Sequence, residues 1–206
     1  MSHILQNRPL CLASSSPRRQ MFLKKYGLKF DCHSPNIDET PKLKELAKNF
    51  VKRMANEKAQ HVRQKFYKLS ENIIILAGDT IVFFDGQILG KPETTEDART
   101  MLKQLSGGTH KVYSAFTILD SPSGQEITKI ISTEVQFLNL QKKLLEWYIE
   151  TGEPFGKAGS YSIQGLGSIL IESISGSYNN VVGFPFEKII PYLASNGCIS
   201  YEVKVK

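Results

Sequence analysis

The sequence predicts a single α/β domain, and three of its features lead to this fold class. The chain has 206 residues, 41% of them hydrophobic, which is enough to build one sizeable core. Short β-branched and aromatic runs alternate with segments whose apolar residues recur at helical spacing. Neither an internal repeat nor a low-complexity linker interrupts the chain, so we expect residues 1–206 to form one domain.

The stretch LCLASSSPRRQMFLKKYG predicts the first strand and the first helix. An apolar run over residues 9–13 breaks into Ser-Ser-Ser-Pro, and the helical pattern over residues 20–26 ends at Gly27. Glycine is a common stop after a helix, and Ser15 or Ser16 can accept a hydrogen bond from the first turn. This order indicates a strand, a turn and a helix.

The next predicted elements are a short strand, a loop and a long helix. The strand covers residues 28–32, the polar segment SPNIDETPK forms the loop, and a helical pattern covers residues 45–67. Leu46, Phe50 and Met54 recur at turn spacing, and basic residues occupy the opposite side. We therefore expect an amphipathic helix whose lysines face solvent.

A strongly apolar segment in the middle of the chain contains a carboxylate. The runs over residues 73–77 and 81–84 flank Asp79, and Asp85-Gly86 supplies a turn after them. Such runs indicate one buried strand or a pair of strands.

The rest of the chain continues the alternation of helices and strands. Thr94 and Thr95 precede EDARTMLKQL, whose acidic first turn and trailing glycines predict a well-bounded helix. The remaining predictions are a hairpin of strands over 111–119 and 127–138, a helix over 141–150, an irregular segment over 152–167, a strand over 169–174 and a helix over 185–193.

The net charge limits the classes of partner that the protein can bind, and the cysteines indicate its cellular location. A charge of +6 suits nucleic acid, an anionic membrane or a small polyanion such as a nucleotide. The lysines form no basic block, RNA-binding and zinc-finger motifs are absent, and no apolar run is long enough to cross a bilayer. The cysteines are odd in number and unpaired in spacing. We expect no membrane partner, no stable nucleic-acid partner and a reducing, cytoplasmic location.

The start of the first predicted helix has the features of a phosphate site. Unpaired N–H groups and a partial positive charge allow a helix N-terminus to receive an anion. Arg18 and Arg19 oppose the helix dipole there, and a bound anion would remove that conflict. The alternative is a serine cap followed by solvated arginines, and this motif alone leaves both open.

Asp79 is the best candidate for chemistry because it lies within a strongly apolar segment. A buried carboxylate must be paired with a cation, bind a metal or take up a proton. Open α/β sheets also bind ligands where their strands end. The alternative is an aspartate that caps a turn with Thr80.

Three further segments carry candidate ligand-binding residues. Asp38 and Glu39 form an acidic pair on a loop, suited to a hard cation such as Mg²⁺ or to plain solvation. Lys91, before a proline, can place a point charge on phosphate. Lys157 and Gln164 lie among glycines that allow close approach of a ligand, and an amide can both donate to and accept from a base. A loop with tight turns explains the same glycines.

Taken together, these motifs resemble the Maf family of nucleoside triphosphate pyrophosphatases. The resemblance runs in order through LASSSPRRQMFL, NIDET, ANEKA, AGDTIV with ILGKPE, MLKQLSGGTHKVYS, GEPFGKAGSYSIQGLGS and ISGSYNNVVGFP. It implies an inosine triphosphatase-like α/β fold, with a twisted mixed β-sheet, flanking helices and a cleft between two lobes, often in a homodimer. It also implies hydrolysis of the α–β phosphate bond of a nucleoside triphosphate with a divalent metal, Mg²⁺ or Mn²⁺.

The resemblance assigns roles to named residues. Asp79 matches the proton acceptor or a metal ligand, and Glu39 matches an acidic position linked to metal binding. Lys58 and Lys91 match catalytic or phosphate-binding lysines. The matched phosphate-contacting positions are Ser14, Arg18 and Arg19, and those tied to substrate choice are Thr80, Gln164 and one arginine, preferably Arg18.

The segment KAGSYSIQG, with Lys157 and Gln164, is similar to the branch that acts on dTTP and UTP. CTP or modified pyrimidine nucleotides are related possibilities, and 7-methylguanosine triphosphate is the alternative from the other branch. The family usually has Asp directly before this lysine, where Gly156 stands here, which leaves the metal shell and the rate open. The non-enzyme alternatives are a nucleotide-binding regulator of cell division and a nucleic-acid-binding module.

Overall fold

The computed structural model describes residues 3–66 and 72–202, and its main element is a mixed sheet of seven strands. Along the sheet the strands follow the order β3-β2-β4-β6-β7-β8, with β5 paired to β4. The strands are β2 (Leu10–Ala13), β3 (Asp31–Cys32), β4 (Ile74–Phe84), β5 (Gln87–Leu89), β6 (Thr109–Asp120), β7 (Glu126–Phe137) and β8 (Ile171–Ser175). β2 runs parallel to β3 and β4, and the other pairs are antiparallel. The predicted α/β class with a mixed sheet and flanking helices is confirmed.

Helices cover the sheet on both faces. They are α1 (Pro17–Lys25), α2 (Ala47–Phe66), α3 (Thr95–Leu105), α4 (Lys142–Glu150), α5 (Tyr178–Val182) and α6 (Phe186–Ser195). Short 3-10 turns lie at Ala158–Ser160 and Leu166–Leu170. A separate antiparallel pair, β1 (His3–Gln6) with β9 (Ile199–Glu202), joins the two ends of the described chain, and the sequence patterns did not predict it.

The alternation of β4 decides which helices each of its residues meets. Its odd-numbered residues, including Ile75 and Ile81, pack in clusters with α2. Its even-numbered residues pack on the other face: Leu76 in a cluster with α1 and α6, and Val82 in one with α3 and α4. Successive side chains of a strand point to opposite faces, so Asp79 and Thr80 belong to different layers of the molecule.

Several local predictions are confirmed and two are wrong. Thr94 begins α3 with a full capping box to Asp97, as the threonines and acids of this segment indicate. Leu46 is not part of the apolar stripe of α2: it precedes the helix and is 70% exposed. Ser16 occupies the N-cap of α1, but its side chain makes no capping bond.

The predicted strand or strand pair around Asp79 is one continuous strand of 11 residues. The last residue of the predicted long helix, Tyr67, lies outside the described residues. The division of residues 1–206 into one domain stays a prediction.

Candidate active site

The candidate site lies at a gap in the sheet. One side of β4 pairs with β6 along almost its whole length. On the other side, β2 pairs with residues 74–77 and β5 with residues 82–84. Within the described chain, residues 78–81 therefore have no ladder partner on this side, and Asp79 and Thr80 lie in this gap. β2 ends here and leads through residues 14–16 into α1, so the end of a parallel strand opens the site, as predicted for an open α/β sheet.

Asp79 is buried, and its partner is a lysine from α2. The Lys58 Nζ donates to Asp79 Oδ1 at 2.7 Å and to Glu39 Oε2 at 3.0 Å. Lys58 is only 6% exposed, whereas the other three lysines of α2, Lys48, Lys52 and Lys65, face solvent as predicted. The lysine comes from α2, the aspartate from β4 and the glutamate from the exposed loop that precedes α2. The structure thus brings together three predicted site residues that are far apart in the sequence.

Arg19 lies on the other side of the gap and is held by protein acceptors. Its guanidinium donates from Nε to the Gly183 carbonyl at 3.1 Å, from Nη1 to Ser14 Oγ at 3.1 Å and from Nη2 to Thr80 Oγ1 at 3.2 Å. A Cβ atom at residue 78 would lie 3.2 Å from the Phe184 ring and from the Ala115 carbonyl oxygen, so Gly78 allows these groups to approach closely beside Arg19. These acceptors satisfy the hydrogen-bond donors of Arg19 but carry no charge. Burial lowers the pKa of Arg19 below its ordinary value, and the negative charge of Asp79 offsets only part of this effect.

Arg18, the adjacent residue, is half-buried and lines the cleft. The walls of this cleft also include Thr80, Tyr161, Ser162 and Ile163. Burial lowers the pKa of Arg18 below its ordinary value, because the charged form loses hydration. The two arginines that the sequence set side by side thus have different surroundings, and Arg18 is the one open to a ligand.

The glycine-dense segment places Lys157 close to Arg18. Burial lowers the pKa of Lys157, and the charge of Arg18 lowers it further. Lys91 and Gln164 are exposed, and the turn that carries Lys91 is tied to this segment because Gly159 N donates to the Gly90 carbonyl at 3.0 Å. The structure thus gathers positive charge along the segment, while the roles of these lysines and of Gln164 stay predictions.

Sequence reasoning missed the residues that support Thr80. Ser114 Oγ lies 2.8 Å from Thr80 Oγ1 and donates to the Asn180 carbonyl at 3.0 Å. The Asn180 amide in turn donates to the Val112 carbonyl at 3.0 Å. The sequence feature that could have identified Ser114 is a polar residue at an inward-facing position of an otherwise apolar strand.

Sequence reasoning also missed a hydrogen-bonded pair of side chains at the wall of the cleft. His110 Nε2 lies 2.8 Å from the hydroxyl of Tyr161, and both side chains are buried. Burial lowers the pKa of His110 to about 4, so the ring is neutral at pH 7.

Glu39 and Asp79 could hold a hard divalent cation. Lys58 Nζ contacts Asp79 Oδ1 and Glu39 Oε2, so a cation would bind the other oxygen of each carboxylate, a ligand type that suits Mg²⁺ and Mn²⁺. Among the described residues no group of three or more His, Cys, Asp or Glu side chains is placed to bind a metal. Water and a ligand's oxygens would supply the other positions, as is common for Mg²⁺.

The structure also bears on other expectations from composition. Cys11, Cys32 and Cys198 form no disulfide with one another, in agreement with their spacing in the sequence. Within residues 3–66 and 72–202, every helix is too short or too polar to cross a membrane.

The chain is similar along most of its length to known proteins of one kind. The family model described as Maf-like protein matches residues 9–196. A dTTP/UTP pyrophosphatase from Halalkalibacterium halodurans is 43% identical over 190 residues, which are 92% of this chain and 97% of that protein. A dTTP/UTP pyrophosphatase from Pseudoalteromonas atlantica is 44% identical over 176 residues, covering 85% of this chain and 91% of the relative. One from Desulfotalea psychrophila is 41% identical over 194 residues, covering 94% and 97%.

Proposed function

The chain belongs to the Maf-like protein family, and from this premise we propose that it hydrolyses the α–β phosphate bond of dTTP and UTP. The products are the nucleoside monophosphate and pyrophosphate. Relatives named dTTP/UTP pyrophosphatase at 43% and 44% identity support this choice of substrates. CTP and modified pyrimidine nucleotides are secondary candidates, and 7-methylguanosine triphosphate is the alternative.

The observation that carries the proposal is the Glu39–Lys58–Asp79 group beside the cleft lined by Arg18. Cleavage of a phosphoanhydride needs a positioned water and positive charge around the reacting phosphate. The carboxylates on Lys58 can serve the first need, and Arg18 with Lys157 can serve the second. The carboxylates lie on the α2 side of the sheet and Arg18 lies on the other side, and the gap in the sheet brings the two groups together.

Asp79 is proposed to draw the proton from the water that attacks the α-phosphorus. Lys58 donates to its Oδ1 at 2.7 Å, which holds the carboxylate in one orientation. An oriented and partly desolvated base is more effective than a mobile one. Glu39, the exposed member, shares the same lysine and keeps its carboxylate within reach of Asp79.

A divalent metal bound by Glu39 and Asp79 would supply Lewis acidity and neutralise phosphate charge. Lys58 lies at the point where both carboxylates converge, so it balances part of their charge. Phosphate oxygens would meet Arg18, Lys91 and Lys157, while Ser14 and Arg19 shape the floor beneath them.

The base of the nucleotide is proposed to lie against the segment from Tyr161 to Gln164. Tyr161, Ser162 and Ile163 line the cleft, and the Gln164 amide follows them. Thr80, at the opposite wall, accepts from Arg19 and is the other residue tied to substrate choice. A homodimer and a cytoplasmic location are part of the same proposal.

A nucleotide panel tests the proposal. The protein is incubated with Mg²⁺ or Mn²⁺ and with dTTP, UTP, CTP, ITP or 7-methylguanosine triphosphate, and both phosphate products are measured. We expect pyrophosphate as first product, with dTTP and UTP turned over fastest. Orthophosphate as first product would refute the assigned bond, and fastest turnover of 7-methylguanosine triphosphate would overturn the assigned substrates. Nucleotide binding without turnover would favour a regulator, and salt-sensitive DNA or RNA binding without turnover would favour a nucleic-acid module.

A further inference from the structure

The segment that carries Lys157 and Gln164 is fastened by two side chains. Glu153 Oε1 accepts from Gly167 N at 2.8 Å and from the Tyr148 hydroxyl at 3.0 Å, and Glu153 Oε2 accepts from Leu166 N at 2.9 Å. The Tyr148 hydroxyl also accepts from Ser162 N at 3.2 Å. We call Glu153, Tyr148 and these three backbone amides the Glu153 clasp. It ties the segment at several points to α4, the helix that contains Tyr148.

Two glycines leave the room that the clasp needs. A Cβ atom at Gly165 would lie 2.0 Å from Glu153 Oε2, and one at Gly167 would lie 2.6 Å from the Tyr148 hydroxyl and 2.8 Å from the Ser162 carbonyl. No side chain fits at such distances without displacing its neighbours. The glycines of the sequence QGLG are therefore explained by the clasp, whereas the sequence alone left close approach of a ligand and a loop with tight turns open.

Glu153 holds the segment as a carboxylate. Burial acts to raise the pKa of Glu153, but hydrogen bonds from Gly167, Leu166 and Tyr148 and the charge of Lys157 outweigh it, so the pKa falls below its ordinary value. Hydrogen bonds from N–H groups to an ionised carboxylate are stronger than those between neutral groups. The clasp is thus charged throughout the neutral range.

The clasp lies behind the cleft wall. Tyr161 and Ser162 line the cleft, while the backbone N–H of Ser162 donates to the hydroxyl of Tyr148, which is buried in the core cluster that contains residues of α3 and α4. Gln164 lies between Ser162 and Leu166, and the clasp holds the backbone of both. The backbone of Gln164 is therefore fixed from both sides, although its own side chain is exposed.

We propose that Glu153 is a positioning residue that holds this segment in its nucleotide-binding shape and thereby sets KM for the nucleotide. The inference rests on the proposed function, because it assigns the segment to nucleotide binding. A segment that is already ordered loses less conformational entropy when the ligand binds. Loss of the clasp therefore weakens ground-state and transition-state binding alike, which raises KM and leaves kcat unchanged.

Glu153→Gln tests the inference with Glu150→Gln as its matched control. Glutamine replaces one acceptor oxygen by an NH₂ group, so an amide N–H of the clasp faces a donor instead of an acceptor. We expect KM for UTP to rise roughly tenfold, the effect of losing one charge-assisted hydrogen bond, and kcat to stay within about twofold. Glu150 is exposed on the same helix end, and Glu150→Gln should change neither constant.

Hydrogen exchange gives a readout that does not depend on activity. The Leu166 and Gly167 amides should exchange faster in Glu153→Gln than in the wild type or in Glu150→Gln. An unchanged KM would overturn the inference, whether or not the exchange rates change. A fall in kcat at constant KM would overturn it too, because that would place Glu153 in the chemical step. A wild type that releases no pyrophosphate would overturn the proposed function, and the exchange rates would still decide whether the clasp orders the segment.

A double-mutant cycle with Gly165→Ala separates the clasp from general damage. The added methyl group displaces the Glu153 carboxylate, so this variant should raise KM by a factor close to that of Glu153→Gln. Since both variants open the same clasp, the double variant should be no worse than the more affected single one. If the increases in KM of the two single variants multiply in the double variant, the two substitutions act independently, and this result would overturn the inference.

Discussion

Replacing Asp79 by asparagine separates the chemical role of this carboxylate from its contribution to stability. The substitution preserves the shape of the side chain and removes its charge beside Lys58, which lies 2.7 Å from Oδ1. Loss of a general base typically lowers turnover by a factor of about 10² to 10⁴. We therefore expect kcat for UTP to fall roughly a hundredfold or more, which corresponds to about 2.7 kcal/mol or more in the activation barrier, while much of the nucleotide affinity remains.

The expected cost in stability follows from the second partner of the lysine. At an effective dielectric constant of about 20, the gross attraction across 2.7 Å is roughly 6 kcal/mol, and desolvation of both groups opposes most of it. Breaking a buried ion pair costs about 3–5 kcal/mol when one charge stays uncompensated. Lys58 keeps Glu39 at 3.0 Å, so its charge stays paired. The loss should be smaller, about 1–2 kcal/mol.

The assay is steady-state pyrophosphate release combined with urea unfolding. Asp85→Asn is the matched control, since Asp85 lies at the exposed turn after the same strand with a φ of 46°, a conformation that asparagine also tolerates. The control should retain both activity and stability. Turnover of Asp79→Asn within tenfold of the wild type would remove Asp79 from the proposed mechanism. A stability loss as large as that of an unpaired buried charge would show that Glu39 does not compensate.

Lys58→Met should lower the free energy of unfolding by about 3–5 kcal/mol, because it leaves Asp79 buried without its cation; urea unfolding measures this, and a loss under about 1 kcal/mol would contradict the pairing. Arg18→Ala should raise KM for UTP without changing the melting temperature, since Arg18 lines the cleft; an unchanged KM would exclude it from binding. In the wild type, the unfolded chain binds a proton at His110 near pH 6.5, whereas the folded state does so only near pH 4. The free energy of unfolding should therefore fall by up to about 3 kcal/mol as the pH drops between these values, and His110→Gln should lack this part of the fall. Equilibrium unfolding measured at several pH values tests this, and the same pH dependence in the wild type and in His110→Gln would refute the role of His110.

Local patterns predicted most of the elements because their causes are local. The capping box at Thr94 and the apolar period of α2 depend on residues within a few positions of each other. The elements that the patterns missed, which include the three-residue strand β5, are too short to show a clear period. β1 and β9 are short and pair across the whole chain, and α5 has only 5 residues, too few to show a helical period. Leu46 fitted the period of α2 but lies before its first turn, where no layer of the protein covers it.

The candidate site divides in the same way. The sequence by itself identified the candidate residues, although each motif alone also had a structural explanation, and the order of the motifs determined the family. Only the tertiary structure decided which of these groups meet. Lys58 and Asp79 pair because α2 packs on the face of β4 that Asp79 occupies. Arg18 and Arg19 differ because adjacent residues of a helix point about 100° apart, so one faces the cleft and the other the core. Such contacts depend on the packing of whole elements, and a linear pattern of residue types does not contain that information.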